Sequence, residues 1–178
     1  MHKVVEKVAA LLKPDHIDVD AMSGEEVHEF FTLSNEMMTA VYQFVLKYND
    51  YINARQDYSG DESLTMLEAH LLTDICDYPD STVTGLANRW YRSVSATSQT
   101  IRRLIQKDLV TRVNSKQDAK VFHLHPTDKG RQVSDAHKRY DILDTIKTLK
   151  SLRHSLSQKE LVAFFKGLEA FTKLIKKH

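Results

Sequence analysis

Three times along this chain a Ser or Thr stands three residues before a Glu, at the head of a helix-period apolar run: Ser23 with Glu26, Thr65 with Glu68, and Ser157 with Glu160. In such a capping box the hydroxyl and the carboxylate each accept one of the backbone amides that a helix start leaves unpaired. Each box fixes a helix start, so a chain with three of them is committed largely to helix. The 5 Gly and 3 Pro among 178 residues agree, being too few turn residues for an all-β chain. The single Cys excludes a disulfide framework and a Cys-rich zinc site, and fits a reducing compartment such as the cytoplasm. No apolar run nears the roughly 18 residues of a membrane span. Lys3, Glu6 and Lys7 interrupt the opening run, so no signal-peptide core is expected there.

The periodicity predicts the order of elements. Val4, Val5, Val8, Leu11 and Leu12 recur at helical spacing before Pro14 breaks them. After Ser23, residues such as Phe30, Phe31, Met37, Val41, Phe44, Val45 and Tyr48 cover more than one helix face. That predicts packing on the helix's own core and against another subunit. Residues 55–63 are expected to form a polar loop. Leu67, Leu71, Leu72 and Ile75 give the next helix its apolar face, and Tyr78-Pro79-Asp80 stops it. Thr82 caps a short helix with Val83, Leu86, Ala87 and Trp90 inward; after a turn at Tyr91-Arg92, Ser93 caps another that runs to about Lys107. Residues 109–114 and 120–124 make a hairpin, Pro126-Thr127-Asp128 begins a long helix carrying Val133, Tyr140, Leu143 and Ile146, and a final helix follows Ser157. The predicted fold is mainly α: a winged helix-turn-helix, with a small β-hairpin wing, inside a frame of long N- and C-terminal helices.

The formal net charge of +1 conceals a strong polarity. Residues 1–80 hold five basic and sixteen acidic side chains, a net −11; residues 81–150 are +8 and residues 151–178 are +4. Such asymmetry points to an anionic partner for the basic part; the plainer alternative is pairing of the two faces within the fold or across a dimer. On a helical wheel from Ser93, the residues Val94, Thr97, Ile101, Leu104 and Ile105 share one side. Ser95, Ala96, Gln99, Arg102, Arg103 and Gln106 share the other, with Thr100 at its edge. Arg pairs with guanine and Gln with adenine in a major groove, and small residues allow close approach. The absence of any acidic residue from Ser93 to Lys107 separates this helix from an ordinary solvated one. Arg89 and Arg92 near the turn suit phosphates, and Arg112, Lys116 and Lys120 bring cations to the wing. Arg103→Ala is expected to lose preference at one base position, and Lys116→Ala to weaken binding to every sequence alike.

These stretches, in their order, resemble the MarR family of winged-helix regulators. The resemblance is carried by Leu64-Thr65-Met66-Leu67-Glu68, the helix start at Thr82-Val83-Thr84-Gly85-Leu86-Ala87, the run from Val94 to Leu104, Leu109-Val110-Thr111-Arg112, Asp118-Ala119-Lys120 and Thr127-Asp128-Lys129-Gly130. It implies an obligate homodimer held by the first and last helices, bound to pseudo-palindromic double-stranded DNA and usually repressing. On that footing residues 1–62 and 132–178 are dimerisation helices and residues 63–131 the DNA-binding lobe. The chain departs from the family in two places. Asp108 stands where Gly is common, and tolerates a left-handed backbone better than most residues. Lys120 stands where the wing commonly has Arg, and lacks the planar fork. The first twenty or so residues exceed the usual family length. Phe122-His123-Leu124-His125-Pro126-Thr127 and Ala136-His137-Lys138-Arg139-Tyr140 resemble the branch that regulates fatty-acid synthesis, which implies a small-molecule or acyl-carrier-protein effector.

Other chemistries have candidates too. His137 and Asp141 stand at i, i+4 on one helix face, and with His70 resemble part of the ligand set of zinc-sensing relatives, Asp141 replacing a His. The plainer reading is a buried His bonded to a carboxylate or a carbonyl, with no metal or other cofactor. His123 and His125 face one way along a strand but lack a third ligand. Cys76 is expected as a small core residue. No Gly-rich phosphate loop, nucleophile elbow or acid–base pair supports an enzyme. A helical protein–protein adaptor that binds no DNA is the rival from another class; it accounts for the apolar helices and leaves the basic face and wing idle.

Overall fold

The structure is a computed structural model that describes residues 6–7, 9, 17–58, 63–78, 80–114 and 122–175. The chain divides into two compact units, residues 1–54 and 55–178. In the first, a 3-10 turn at Val19–Ala21 leads to α1 (Gly24–Asn53), 30 residues long. Its capping box is complete: the Ser23 amide donates to Glu26 at 2.8 Å and the Glu26 amide to the Ser23 hydroxyl at 3.3 Å. In the single chain the apolar residues expected to pack on a core and on another subunit are half-exposed or exposed, with Phe31 at 62%. Phe44, Tyr48 and Tyr51 make a ladder of neighbouring rings along α1.

The second unit opens with a hairpin where a loop was expected. β1 (Arg55–Asp57) pairs antiparallel with β2 (Ser63–Thr65), placing Gln56 opposite Leu64. β1, of Arg, Gln and Asp, carries neither alternation nor strand-favouring residues, and β2 has only three residues before the capping box takes over, so the pattern had too little to register. Four helices and a second hairpin follow, then a last helix: α2 (Met66–Asp77), α3 (Val83–Arg89), α4 (Val94–Gln106), β3 (Val110–Asn114), β4 (Phe122–Pro126), α5 (Asp128–Leu152) and α6 (Gln158–Leu174). Every start that the sequence marked carries its cap, with Thr65, Thr82, Ser93, Thr127 and Ser157 each accepting the amide three residues on. β3 and β4 pair from Val110 opposite Pro126 to Asn114 opposite Phe122, and Ser81 adds a bridge to Leu124.

One core joins these elements. Leu71, Leu72 and Ile75 from α2, Leu86 from α3, Ile101 and Leu104 from α4, Leu109, Leu124 and Val133 are all buried within it. A fully buried Leu contributes roughly 1.5–3 kcal/mol, so this cluster holds the lobe together. Asp108, at φ 57°, adopts the left-handed backbone expected of it; Asp80 and Tyr91 do so as well. Behind Asp108 the first turn of α5 is pinned. The Thr127 hydroxyl donates to the Asp108 carbonyl at 2.7 Å, the Thr127 amide to Leu109 at 3.1 Å, and Lys129 Nζ to the Lys107 carbonyl at 3.2 Å. A Cβ on Gly130 would lie 2.1 Å from the Leu109 carbonyl oxygen, so only glycine fits. The helix-turn-helix and the wing confirm a mainly α winged helix. Among the described residues no helix is long and apolar enough to cross a membrane.

Candidate nucleic-acid interface

α4 owes its position to the turn before it. Trp90 ends α3 and donates its indole N–H to Asp74 of α2 at 2.8 Å, while the Arg92 amide reaches the Ala87 carbonyl at 2.9 Å. Tyr91 turns the chain with φ 50°, and Ser93 then caps α4. Ile101 and Leu104 point into the core as the wheel predicts, but the buried face is rotated relative to that wheel. Thr97 is buried as the wheel predicts, but Val94 is 50% exposed and Thr100 is buried. Both hydroxyls are satisfied inside the helix, Thr97 donating to the Ser93 carbonyl and Thr100 to that of Ala96. Thr100, at 1% exposure, is therefore not part of the outward face, at whose edge the wheel places it. Ser95, Gln99, Arg102 and Gln106 stay exposed, and Ala96 is half-buried beside them.

Arg103 has a partner that its own helix did not announce. Its Nε donates to Oε1 of Glu68 at 2.6 Å and its Nη2 to the Thr100 hydroxyl at 3.2 Å. Glu68 is 1% exposed, and its other oxygen accepts the Thr65 amide at 3.0 Å. Arg55 Nη1 lies 3.7 Å from the same carboxylate. Burial alone raises the Glu68 pKa, but the Arg103 bond, the Thr65 amide and the two guanidinium charges outweigh it and hold the carboxyl below its ordinary range. In the sequence Glu68 is marked only as the carboxylate of a capping box, and nothing near it signals the bond to Arg103.

The other basic candidates differ in freedom. Arg89 stacks over the Tyr78 ring at 3.7 Å and lies 3.5 Å from Asp74. Arg92 is half-buried, with its Nε enclosed and without a hydrogen-bond partner among the described residues. Arg112 is exposed on β3. Lys116 and Lys120 lie outside the described residues.

A second constellation sits between α2 and α5. His70, His137 and Asp141 present ligand atoms all within 4.8 Å of one another. Asp141 Oδ2 is 3.5 Å from His70 Nε2 and 3.2 Å from His137 Nε2, and the two imidazoles meet edge to face at 4.6 Å. Donors 2.0–2.1 Å from a tetrahedral zinc stand about 3.3 Å apart, so both distances to Asp141 match an edge of that tetrahedron. His137 is buried, and Thr73 Oγ1 meets its Nδ1 at 3.0 Å. Its Nε2 is buried without a hydrogen bond: the approach to Asp141 has the distance but not the alignment of one. Burial lowers the His137 pKa to about 4, with Asp141 opposing and His70 reinforcing the shift, so the ring is neutral at neutral pH. Tyr58 packs edge-on to both His137 and Tyr140. On the far side, His70 lies 5.3 Å from the Trp90 ring. By contrast, His123 Nδ1 is held 3.0 Å from the Asp80 carbonyl oxygen, and no described cluster joins it and His125 to a third ligand. Cys76 is packed against the core, where burial raises its thiol pKa.

The sequence model of the MarR family matches residues 64–122. Among solved structures, the chain is similar to Streptococcus pneumoniae FabT in complex with DNA, at 26% identity and TM-score 0.57, over 81% of this chain and 96% of that one. It shares its fold with the adhesin competence repressor (AdcR) of Streptococcus pyogenes, at 22% identity and TM-score 0.56, over 79% and 96%. It also shares that fold with ZitR of Lactococcus lactis, a zinc-responsive MarR family member, at 17% identity and TM-score 0.61, over 81% and 99%. Comparison with curated proteins gives no match.

Proposed function

We propose, from the match of the MarR family model to residues 64–122, that the chain is a non-enzymatic, DNA-binding transcriptional regulator acting as a homodimer. The observation that carries this reading is the exposed face of α4, where Ser95, Gln99 and Arg102 project without one acidic neighbour from a helix held rigidly by its cap and core. Two copies of α4 enter successive major grooves about 34–36 Å apart, each flanked by its wing. Arg92 and Arg112 meet phosphates, and Arg89 does so with its Tyr78 and Asp74 contacts intact. Lys116 and Lys120 add basic residues to the same stretch of the sequence. The likeness to a DNA-bound relative and the +7 balance of residues 81–131 support this placement.

Dimerisation uses the segments 1–62 and 132–178, whose long described helices are α1, α5 and α6. Their exposed apolar side chains, among them Phe31 and Leu46 on α1 and Phe165 and Leu174 on α6, exceed what a solvated monomer carries. The regulator acts in the cytoplasm and represses its target genes until an effector, a small molecule or an acyl-carrier protein, shifts the spacing of the two lobes. Selection of bound fragments from a genomic library tests the reading: enrichment of pseudo-palindromic sites, lost at high salt, is expected. A wild-type protein that retains no DNA at low salt returns the chain to the adaptor class.

One observation favours a second reading, in which the effector is a metal ion. The unpartnered Nε2 of His137 faces His70 and Asp141 at separations that suit zinc. Here the two imidazoles and the carboxylate hold the ion, and Thr73 orients His137 from behind. Metal analysis after dialysis against zinc tests it. About one zinc per protomer in the wild type, lost in His137→Ala, is the expected result; no retained zinc discards this reading and leaves the first intact.

A further inference from the structure

The guanidinium of Arg103 lies half inside the lobe and half outside it. Its inner donors are occupied by Glu68 and Thr100. Glu68 cannot swing away, because its second oxygen holds the first turn of α2 through the Thr65 amide. Arg55, itself fixed to the Ser63 carbonyl at 2.9 Å, closes the other side. Yet 45% of the Arg103 side chain is exposed, on the helix that also exposes Gln99, Arg102 and Gln106. A guanidinium has five donors in one rigid plane. With one donor on Glu68 and one on Thr100, the plane is set, and the edge left over is Nη1 with the second hydrogen of Nη2.

We propose that Glu68 is a specificity-determining positioning residue, which fixes Arg103 so that the remaining edge of its guanidinium reads one guanine through O6 and N7. The inference rests on the DNA-binding reading above. An unanchored arginine must give up several freely rotating bonds to hold a base, whereas one already clamped has little left to lose. The clamp also selects. A plane held at a fixed angle meets the paired acceptors of guanine and mismatches the acceptor–donor pair of adenine. Arg102, with no such clamp among the described residues, contacts the duplex with less discrimination. This assigns Arg103 both the structural partner that the structure shows and the base contact that the wheel suggested, and it gives the reason for a carboxylate buried beneath a DNA-reading helix.

The test is selection from a random double-stranded library with three proteins: wild type, Glu68→Gln and Arg103→Lys. Glutamine keeps the cap, since it serves at this position of a capping box, but removes the charge that grips Arg103. Lysine keeps the charge of Arg103 but has no fork. The wild type is expected to enrich a site with guanine at one position of each half. Both variants are expected to lose preference at that position alone, by roughly tenfold, while binding to unrelated DNA keeps its salt dependence. Retention of the wild-type preferences by Glu68→Gln overturns the proposal, as does an equal loss for all sequences, which marks the pair as a structural clamp. Arg103→Lys decides in the same way if Glu68→Gln fails to fold. If the wild type enriches no sequence, the DNA-binding reading itself falls, a result distinct from either of these.

Discussion

Thr97 and Thr100 show how a helix buries polar side chains without leaving an orphan. Each hydroxyl bonds the carbonyl four residues back, so its methyl faces the core as a valine's does. A wheel drawn by residue polarity ranks Thr100 with Gln99 and so places it one position too far outward. The partnership of Arg103 with Glu68 was out of reach for a different reason. The residues are 35 apart in sequence, and neither has a signature that distinguishes a clamped side chain from a solvated one. Removing the arginine strands a buried carboxylate; Arg103→Ala should therefore destabilise the lobe by about 2–3 kcal/mol in urea titration, an effect that a purely DNA-facing arginine would not have. His137 carries a pH dependence with a definite sign. Above pH 6.5 its imidazole is neutral folded or unfolded. Below that, the unfolded chain takes up a proton that the buried ring refuses until about pH 4. Stability of the metal-free protein should fall across that window by up to about 3 kcal/mol, and His137→Gln should flatten the loss in denaturation midpoints measured from pH 7 to 4.

At the scale of elements, helix starts were the most legible feature, because a cap is a local bargain between a side chain and an amide three residues away. The hairpin of β3 and β4 was legible from its alternation and flanking turns. β1 and β2 were not: their pairing depends on Leu64 being drawn into the core, a tertiary event with no local trace. The core under α4 was readable in part, since Ile101 and Leu104 keep helical spacing. Leu104→Ala should cost about 2–5 kcal/mol by thermal or chemical denaturation, and the loss of DNA binding that follows should be recovered at lower temperature. Gly130→Ala should cost roughly 1–3 kcal/mol, because a methyl group there meets the Leu109 carbonyl and either α5 or the start of β3 must move.

For the molecule as a whole, the bipolar charge and the unburied apolar helices belong together. Acidic side chains dominate residues 1–80 and basic ones the rest, so in the proposed dimer the helix that faces DNA, α4, belongs to the basic part of the chain. Sedimentation should show a dimer, and Phe165→Glu on α6 should shift it toward monomer and lower affinity for palindromic sites far more than for half-sites. The apolar excess was legible in the sequence; a ligand's identity is not, because a ligand is chosen by a few side chains converging from distant helices. The pinned first turn of α5 adds a mechanical consequence. With Thr127 and Lys129 bonded to residues 107–109 and Gly130 pressed against Leu109, there is no slack at that joint. A torque applied along α5 arrives undamped at the end of α4 and the root of the wing, so the joint transmits as a gear does rather than yielding as a hinge.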